Sequence, residues 1–216
     1  MTKLNHDVHL DMIKQIQSGF LFALVCAIAF FTEGKSMGEE NKRVETATFG
    51  GGCFWCVEAV YQLVPGVLTI KPGYAGGHVK QPTYQQVSRG NTGHAEVIQL
   101  TYDPDVVTYD TLLDLFWKAH DPTQLNRQGA DIGTQYRSVI FYHNEAQKKA
   151  AEASRDREQA SGEHRGDIVT EISEAPEFYV AEDYHHNYYR SNPNAGYSRA
   201  VIAPKLDKIK PALKQE

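Results

Sequence analysis

Three glycines run directly into a pair of cysteines in Gly50-Gly51-Gly52-Cys53-Phe54-Trp55-Cys56, and no other segment restricts the fold as strongly. Thr46 to Phe49 reads as a short strand. Val57, Val60, Tyr61 and Val64 then recur at i, i+3, i+4 and i+7, the spacing of a buried helix face. Cys53 therefore stands where a strand, a permissive glycine turn and a helix N-terminus meet. Free amide N–H groups and the helix dipole favour an anion at such a point. A cysteine there is expected to have a lowered pKa and to be a nucleophilic thiolate near neutral pH. Cys56 follows one turn later on the same side, within disulfide reach. The expectation is sulfur redox chemistry.

A single C-x-x-C also has two other readings. As half of a zinc site it would need two more ligands at a compatible spacing. There is no second cysteine pair, and the adjacent His185-His186 does not supply the usual histidine spacing, so no metal is expected. Two buried structural cysteines are the plain alternative, which the exposing glycines argue against. Phe54 and Trp55 are either packing residues or an apolar wall for a small substrate group.

The chain has 216 residues, 41% of them hydrophobic and 23% charged, which suits one globular domain. A formal charge of -5 argues against nucleic acid as a partner. Three cysteines are too few for a disulfide scaffold. The third, Cys26, lies in the apolar run Gly19 to Phe31, which is shorter than the roughly 20 residues of a membrane span and fits a signal-peptide core. Ala27-Ile28-Ala29 offers a small-x-small cleavage pattern. A start at Met12 would free Lys14 of nearby acids and improve the positive flank. Export to the periplasm or a membrane anchor is the expectation, with a cytoplasmic protein as the alternative. Residues 1–43 are read as this segment plus a polar linker from Glu33 to Glu45, and residues 44–216 as a single catalytic domain.

Within that domain Val67 to Tyr74 reads as a strand and Ala75 to Gln81 as a Gly-rich loop. Thr83 to Arg89 reads as a short helix with a Thr83/Gln86 capping box and Gly90 at its end. Ala95 to Tyr102 alternates as a strand, and Asp103-Pro104 turns the chain. Leu112, Leu115, Phe116 and Ala119 mark an amphipathic helix. A long polar loop covers Asp121 to Tyr136. A strand at Ser138 to Tyr142, a helix at Asn144 to Ala160 and a strand at Ile168 to Ile172 follow. A Tyr/His-rich tail ends in a basic segment from Pro204 to Pro211. This order predicts an α+β two-layer sandwich with a ferredoxin-like core and extensive loops.

Counting by two along the third strand puts Glu96 on one face with Ile98, Leu100 and Tyr102. A carboxyl entering that apolar face is hard to ionise and suits a general acid. Spacing alone leaves open a strand-start glutamate turned to solvent. The loop Asp121 to Gly129, continuing through Asp131, Gly133, Thr134, Gln135, Tyr136 and Arg137, holds many hydrogen-bonding residues. It is either a site lining or a solvated connection. Tyr84, at a helix start, is uninformative by itself.

These segments together resemble the peptide methionine sulfoxide reductase A family. The matching runs are Gly51-Gly52-Cys53-Phe54-Trp55, Gly73-Tyr74-Ala75-Gly76-Gly77, Pro82-Thr83-Tyr84 and Gly93-His94-Ala95-Glu96-Val97. They continue through His120-Asp121-Pro122-Thr123, Leu125-Asn126-Arg127-Gln128-Gly129 and Gly133-Thr134-Gln135-Tyr136-Arg137-Ser138. Ala181-Glu182-Asp183-Tyr184-His185 and Asn192-Pro193 close the series, so the resemblance spans roughly 47–205. It implies reduction of methionine S-sulfoxide, free or in oxidised proteins, to methionine. It further implies that Cys53 attacks the sulfoxide sulfur, Glu96 protonates the oxygen, Tyr84 and Tyr136 hydrogen-bond it, and Asp131 supports the polar side. Phe54 and Trp55 would form the pocket for the substrate methyl. Cys53 is left as a sulfenic acid, a second thiol makes a disulfide, and a thioredoxin-like partner, or dithiothreitol in vitro, supplies the electrons. No bound cofactor and a monomer are expected.

Two departures stand out. Cys56 replaces a glycine common in the family, and Gly196-Tyr197-Ser198 lacks the recycling cysteine many members carry there. Cys56 is then the expected resolving thiol. His186 and Ala130 replace an expected glutamine and asparagine, with no mechanistic consequence. A general thiol–disulfide oxidoreductase is the rival reading and would not need Glu96. A non-catalytic methionine-binding protein is a third and would survive loss of Cys53.

Overall fold

The structure is a computed structural model, which describes residues 43–211 and residue 213. The apolar run Gly19 to Phe31, Cys26 and most of the polar linker lie outside the described residues. The expected strand at Thr46 to Phe49 is the middle of β1 (Glu45–Gly51), which opens at the last residue assigned to that linker. After the turn at Gly52 and Cys53 comes α1 (Phe54–Tyr61). Its apolar face is the expected one, except that the helix ends at Tyr61 and Val64 packs from the following turn. Next are β2 (Val67–Ala75), α2 (Tyr84–Ser88) and β3 (Ala95–Tyr102). Both halves of the capping box at Thr83 and Gln86 form, and Gly90 follows the helix with φ +75°. Helix α3 (Tyr109–Ala119) carries the Leu112, Leu115 and Phe116 stripe.

The Asp121–Tyr136 loop is less irregular than its composition suggests. Arg127–Gln128 (β4) and Asp131–Ile132 (β5) pair as a minimal hairpin, and Thr134–Tyr136 forms one 3₁₀ turn. Strand β6 (Ser138–Tyr142) and helix α4 (Glu145–Ser161, capped by Asn144) fall where the pattern put them. Strand β7 does not. It covers Glu171–Glu174, three residues beyond the start expected at Ile168. Register decides this, because Glu171 is the residue that pairs with Val139 of β6. The amides of Ile168 and Val169 are instead taken by Gln159 Oε1 and the Pro122 carbonyl. The tail adds β8 (Tyr179–Val180), α5 (Tyr188–Ser191), a π-helical turn at Ser198–Ile202 and α6 (Ala203–Ile209).

The six-stranded sheet has the order β7-β6-β1-β3-β2-β8. All neighbours are antiparallel except β6 and β7. Its centre, β6-β1-β3-β2, is the ferredoxin-like arrangement of the β1-α1-β2-β3-α3-β6 series, as expected. Phe49, Ile98, Leu100 and Ile140 face α1 and α3, whose Val57, Val60, Tyr61, Leu112 and Phe116 complete the main core. Alternation along the strands turns Val97, Val139 and Phe141 to the other face, where Phe178 packs. Among the described residues no helix is long and apolar enough to cross a membrane.

Two of the three glycines continue β1 instead of turning. Gly50 allows close approach, since a Cβ there would lie 2.8 Å from Val139 Cγ1 and 3.0 Å from the Glu96 carbonyl oxygen. The turn itself is made at Gly52, whose φ of +92° is one that side chains rarely adopt and whose Cβ would meet Gln128 at 2.7 Å. Gly52→Ala should therefore cost about 1–3 kcal/mol for backbone strain. Urea unfolding checks this, and an unchanged midpoint would contradict it.

Candidate active site

Cys53 occupies the N-cap of α1. Its carbonyl accepts from the Cys56 N–H at 3.0 Å and from Val57 at 3.4 Å. The shorter i→i+3 bond winds the first turn tightly and brings residues i and i+3 over one another. Both cysteines are buried and free, and their thiols are hydrogen-bonded to each other.

The Phe54 N–H, first in the helix, donates to Glu96 Oε2 at 3.1 Å. The acid that the helix N-terminus collects is thus a carboxyl group from β3. Glu96 is only 1% exposed, and its Oε1 is buried with no hydrogen-bond partner. Burial pushes its pKa up to about 8, with the Phe54 amide pulling the other way. The side chain therefore carries a proton at neutral pH. Because Oε2 accepts from Phe54, the proton belongs on Oε1, where the protein offers no acceptor. Burial rules out a glutamate turned to solvent.

The lowered pKa expected for Cys53 is reversed. Burial, the Cys56 hydrogen bond and the charges of Glu96 and Cys56 push its thiol well up. Cys56 is instead lowered to about 7, chiefly by the hydrogen bond from Cys53, against burial and with help from Lys205 and Tyr197. The charge of the pair sits on Cys56. A helix-start argument counts the dipole but not the loss of water, and local spacing carries no record of that loss.

Tyr84 and Tyr136 come to the same centre. Burial, then the charge of Glu96, raises both phenols, so both stay hydroxyl donors. Asp131 Oδ2 accepts from the Tyr197 hydroxyl at 2.7 Å. Trp55 is half-buried, stacked on Tyr188 at 3.6 Å and donating from Nε1 to His185 Nδ1 at 3.0 Å. Phe54 differs from expectation. It has no exposed surface and packs between Tyr74 and His185, so of the two aromatics only Trp55 keeps any exposure.

Three contributors were not singled out from the sequence. Glu182 accepts from the Tyr74 hydroxyl and from the Tyr84 amide, each at 2.8 Å, and so anchors the start of α2. His185 is kept neutral, with burial lowering it to about 4. Since Trp55 Nε1 can only donate, the His185 proton lies on Nε2. Tyr197 lies against the thiols. Only the family motif around Glu182 and His185 and the altered Gly196-Tyr197-Ser198 stretch marked them. Among the described residues no cluster suited to a metal ion exists. A cavity of about 690 Å³ lies behind the Gly52 turn, lined by His120, Gln128 and Lys205 among others, but not by Cys53 or Glu96.

The sequence matches the peptide methionine sulfoxide reductase family over residues 45–216. The chain belongs to this family. It is 57% identical over 166 residues to the peptide methionine sulfoxide reductase MsrA of Acinetobacter baumannii, covering 77% of this chain and 94% of that one. It is 50% identical over 171 residues to MsrA of Natronomonas pharaonis, covering 79% and 96%. Among solved structures, reduced Mxr1 from Saccharomyces cerevisiae superposes with a TM-score of 0.67 at 36% identity, covering 74% and 92%. The α+β fold is therefore the fold of peptide methionine sulfoxide reductases, and Cys53 with Glu96 lies in its matched region.

Glu96 makes a stability test. Burial holds its pKa up at about 8 in the folded protein, against about 4.5 for a freely solvated glutamate. Between those values only the folded state holds the proton, so the wild type loses stability as pH rises through that window. Glu96→Gln removes the effect. Its Tm relative to wild type should be constant below the window and climb with pH inside it. A Tm difference that calorimetry finds independent of pH would contradict the raised pKa.

Proposed function

We propose that this chain reduces methionine S-sulfoxide, free or in oxidised proteins, to methionine. The observation that carries the reading is a fully buried carboxyl, Glu96, bonded to the amide that follows Cys53 and left with one oxygen unpartnered. A sulfoxide oxygen cannot leave as oxide. It must meet an acid and hydroxyl donors while a nucleophile reaches the sulfur. Glu96 is the acid, and Tyr84 and Tyr136 are the donors. Cys53 is the nucleophile, its proton passing to Cys56 as the sulfur attacks. Trp55 flanks the substrate methyl group with Phe54 packed behind, and Asp131 borders the polar side. In the net step oxygen moves to the Cys53 sulfur. The sulfoxide sulfur gains two electrons, the Cys53 sulfur loses two, and methionine leaves beside a sulfenic acid.

Family membership supports this chemistry over general thiol–disulfide exchange, which needs no buried acid. The test is turnover of methionine S- and R-sulfoxide, given separately, with dithiothreitol as reductant. The S epimer should be consumed and the R epimer left. Cys53→Ser should abolish turnover while the protein stays folded. Glu96→Gln should slow methionine formation by roughly 10²-fold or more, the usual worth of an acid catalyst. Appreciable turnover by folded Cys53→Ser would refute the assignment.

Cys56 is the resolving thiol in this reading. Its sulfur attacks the Cys53 sulfur, the S–O bond breaks as the disulfide forms, and the proton that Cys56 took from Cys53 passes to the leaving hydroxyl, which departs as water. A thioredoxin-like dithiol then reduces the disulfide and is itself oxidised. The tight first turn of α1 supports this, because it already places residues i and i+3 together. Ser198, in the stretch where the resemblance leads one to expect a recycling cysteine, has no thiol to offer. In Cys56→Ser a single turnover and dithiothreitol cycling should persist, while thioredoxin-driven cycling collapses and sulfenic acid becomes trappable on Cys53. Undiminished thioredoxin-dependent turnover would sink this role.

A further inference from the structure

Tyr197 stands between two acids. Its hydroxyl donates to Asp131 Oδ2 at 2.7 Å and lies 3.7 Å from Cys56 Sγ. Its ring is fixed edge-on against Trp55, with centroids 5.7 Å apart at 75°. The residue immediately precedes the π-helical turn Ser198–Ile202 and caps its start. The hydroxyl has one proton and faces a carboxylate on β5 and the two buried sulfurs of Cys56 and Cys53.

We propose that Tyr197 is a positioning residue for the Cys56 thiol, donating its hydroxyl hydrogen bond to whichever of Cys56 and Asp131 is charged and less well solvated. The proposal rests on Cys56 being the resolving thiol. Cys56 has almost no exposed surface, so its thiolate needs a donor to replace water. The groups that face it are Cys53, whose thiol donates to it, Lys205, whose charge favours the thiolate, Asp131, whose charge opposes it, and Tyr197. Glu96 senses the Cys56 charge as well. Tyr197 cannot act as a base, because burial and the two cysteines hold its own ionisation far above the ordinary value. It is a donor throughout. While Cys56 is a thiolate the hydroxyl turns toward sulfur. Once the Cys53–Cys56 disulfide forms, the sulfur is uncharged and the hydroxyl returns wholly to Asp131. The redox state of the pair is thereby relayed to the β4–β5 hairpin, which carries Asp131 beside the substrate.

The test reads Cys56 ionisation directly, by thiolate absorbance against pH in full-length protein with Cys53→Ser and Cys26→Ser. In that background Tyr197→Phe, which keeps the ring against Trp55, should raise the midpoint by about one pH unit, a tenfold loss of thiolate. Asp131→Asn should lower it, by removing both a negative charge and the competing acceptor. The double variant should recover only the part due to charge. In protein with both thiols, Tyr197→Phe should lower the ratio of the disulfide-forming rate to the sulfoxide-reducing rate by about tenfold. Sulfenic acid on Cys53 should then be trapped. An unmoved midpoint in folded Tyr197→Phe overturns the proposal, as do strictly additive shifts in the double variant. If Tyr197→Phe does not fold, the Asp131→Asn midpoint alone decides, and no downward shift overturns it. Failure of Cys56 as resolving thiol appears separately, as continued thioredoxin cycling in Cys56→Ser, while the midpoints still report on Tyr197.

Discussion

The hydrogen bond from the Phe54 amide to Glu96 Oε2 ties the central strand of the sheet to the start of the first helix. Burying a carboxyl is costly unless it is bonded or neutral, and here it is both. One oxygen satisfies a helix-end donor, and the other keeps its proton because water is excluded. For the bond to form, β1 must run close alongside β3 and then turn at once into α1. Gly50 permits the approach and Gly52 the turn. The three glycines serve this contact, and the position of Cys53 follows from it.

The two cysteines differ through their surroundings. Both are buried, yet one is pushed up and the other down. The difference lies in neighbours. Tyr197 touches both, but Cys53 shares space with Glu96, while Cys56 has the positive charge of Lys205 on its side. A pair that shares one proton suits a sequence in which one sulfur attacks first and the other second.

Much of the support arrives from the last third of the chain. Glu182 pins the start of α2 through the Tyr84 amide, and His185 accepts from Trp55. Tyr188 covers the Trp55 ring, and Tyr197 reaches Cys56 and Asp131. These residues lie in or at the start of short helical turns, elements too brief for periodicity to reveal. Their placement comes from β8 pairing with β2 at the sheet edge, which returns the tail across the front of α1.

The sequence by itself determined the local and repetitive features. The strand at Ala95–Tyr102 with Glu96 on its apolar face, the Thr83 capping box, the helix beginning beside Cys53 and the ferredoxin-like order were all legible. Each depends on residues within a few positions of one another, where side-chain period and turn chemistry act directly. The tertiary structure alone decided the start of β7, the burial of Phe54, the reversed ionisation of Cys53 and Cys56 and the reach of Tyr197. Those outcomes depend on which distant groups exclude water from a given atom. Desolvation acts through space, so the chain must close before it exists.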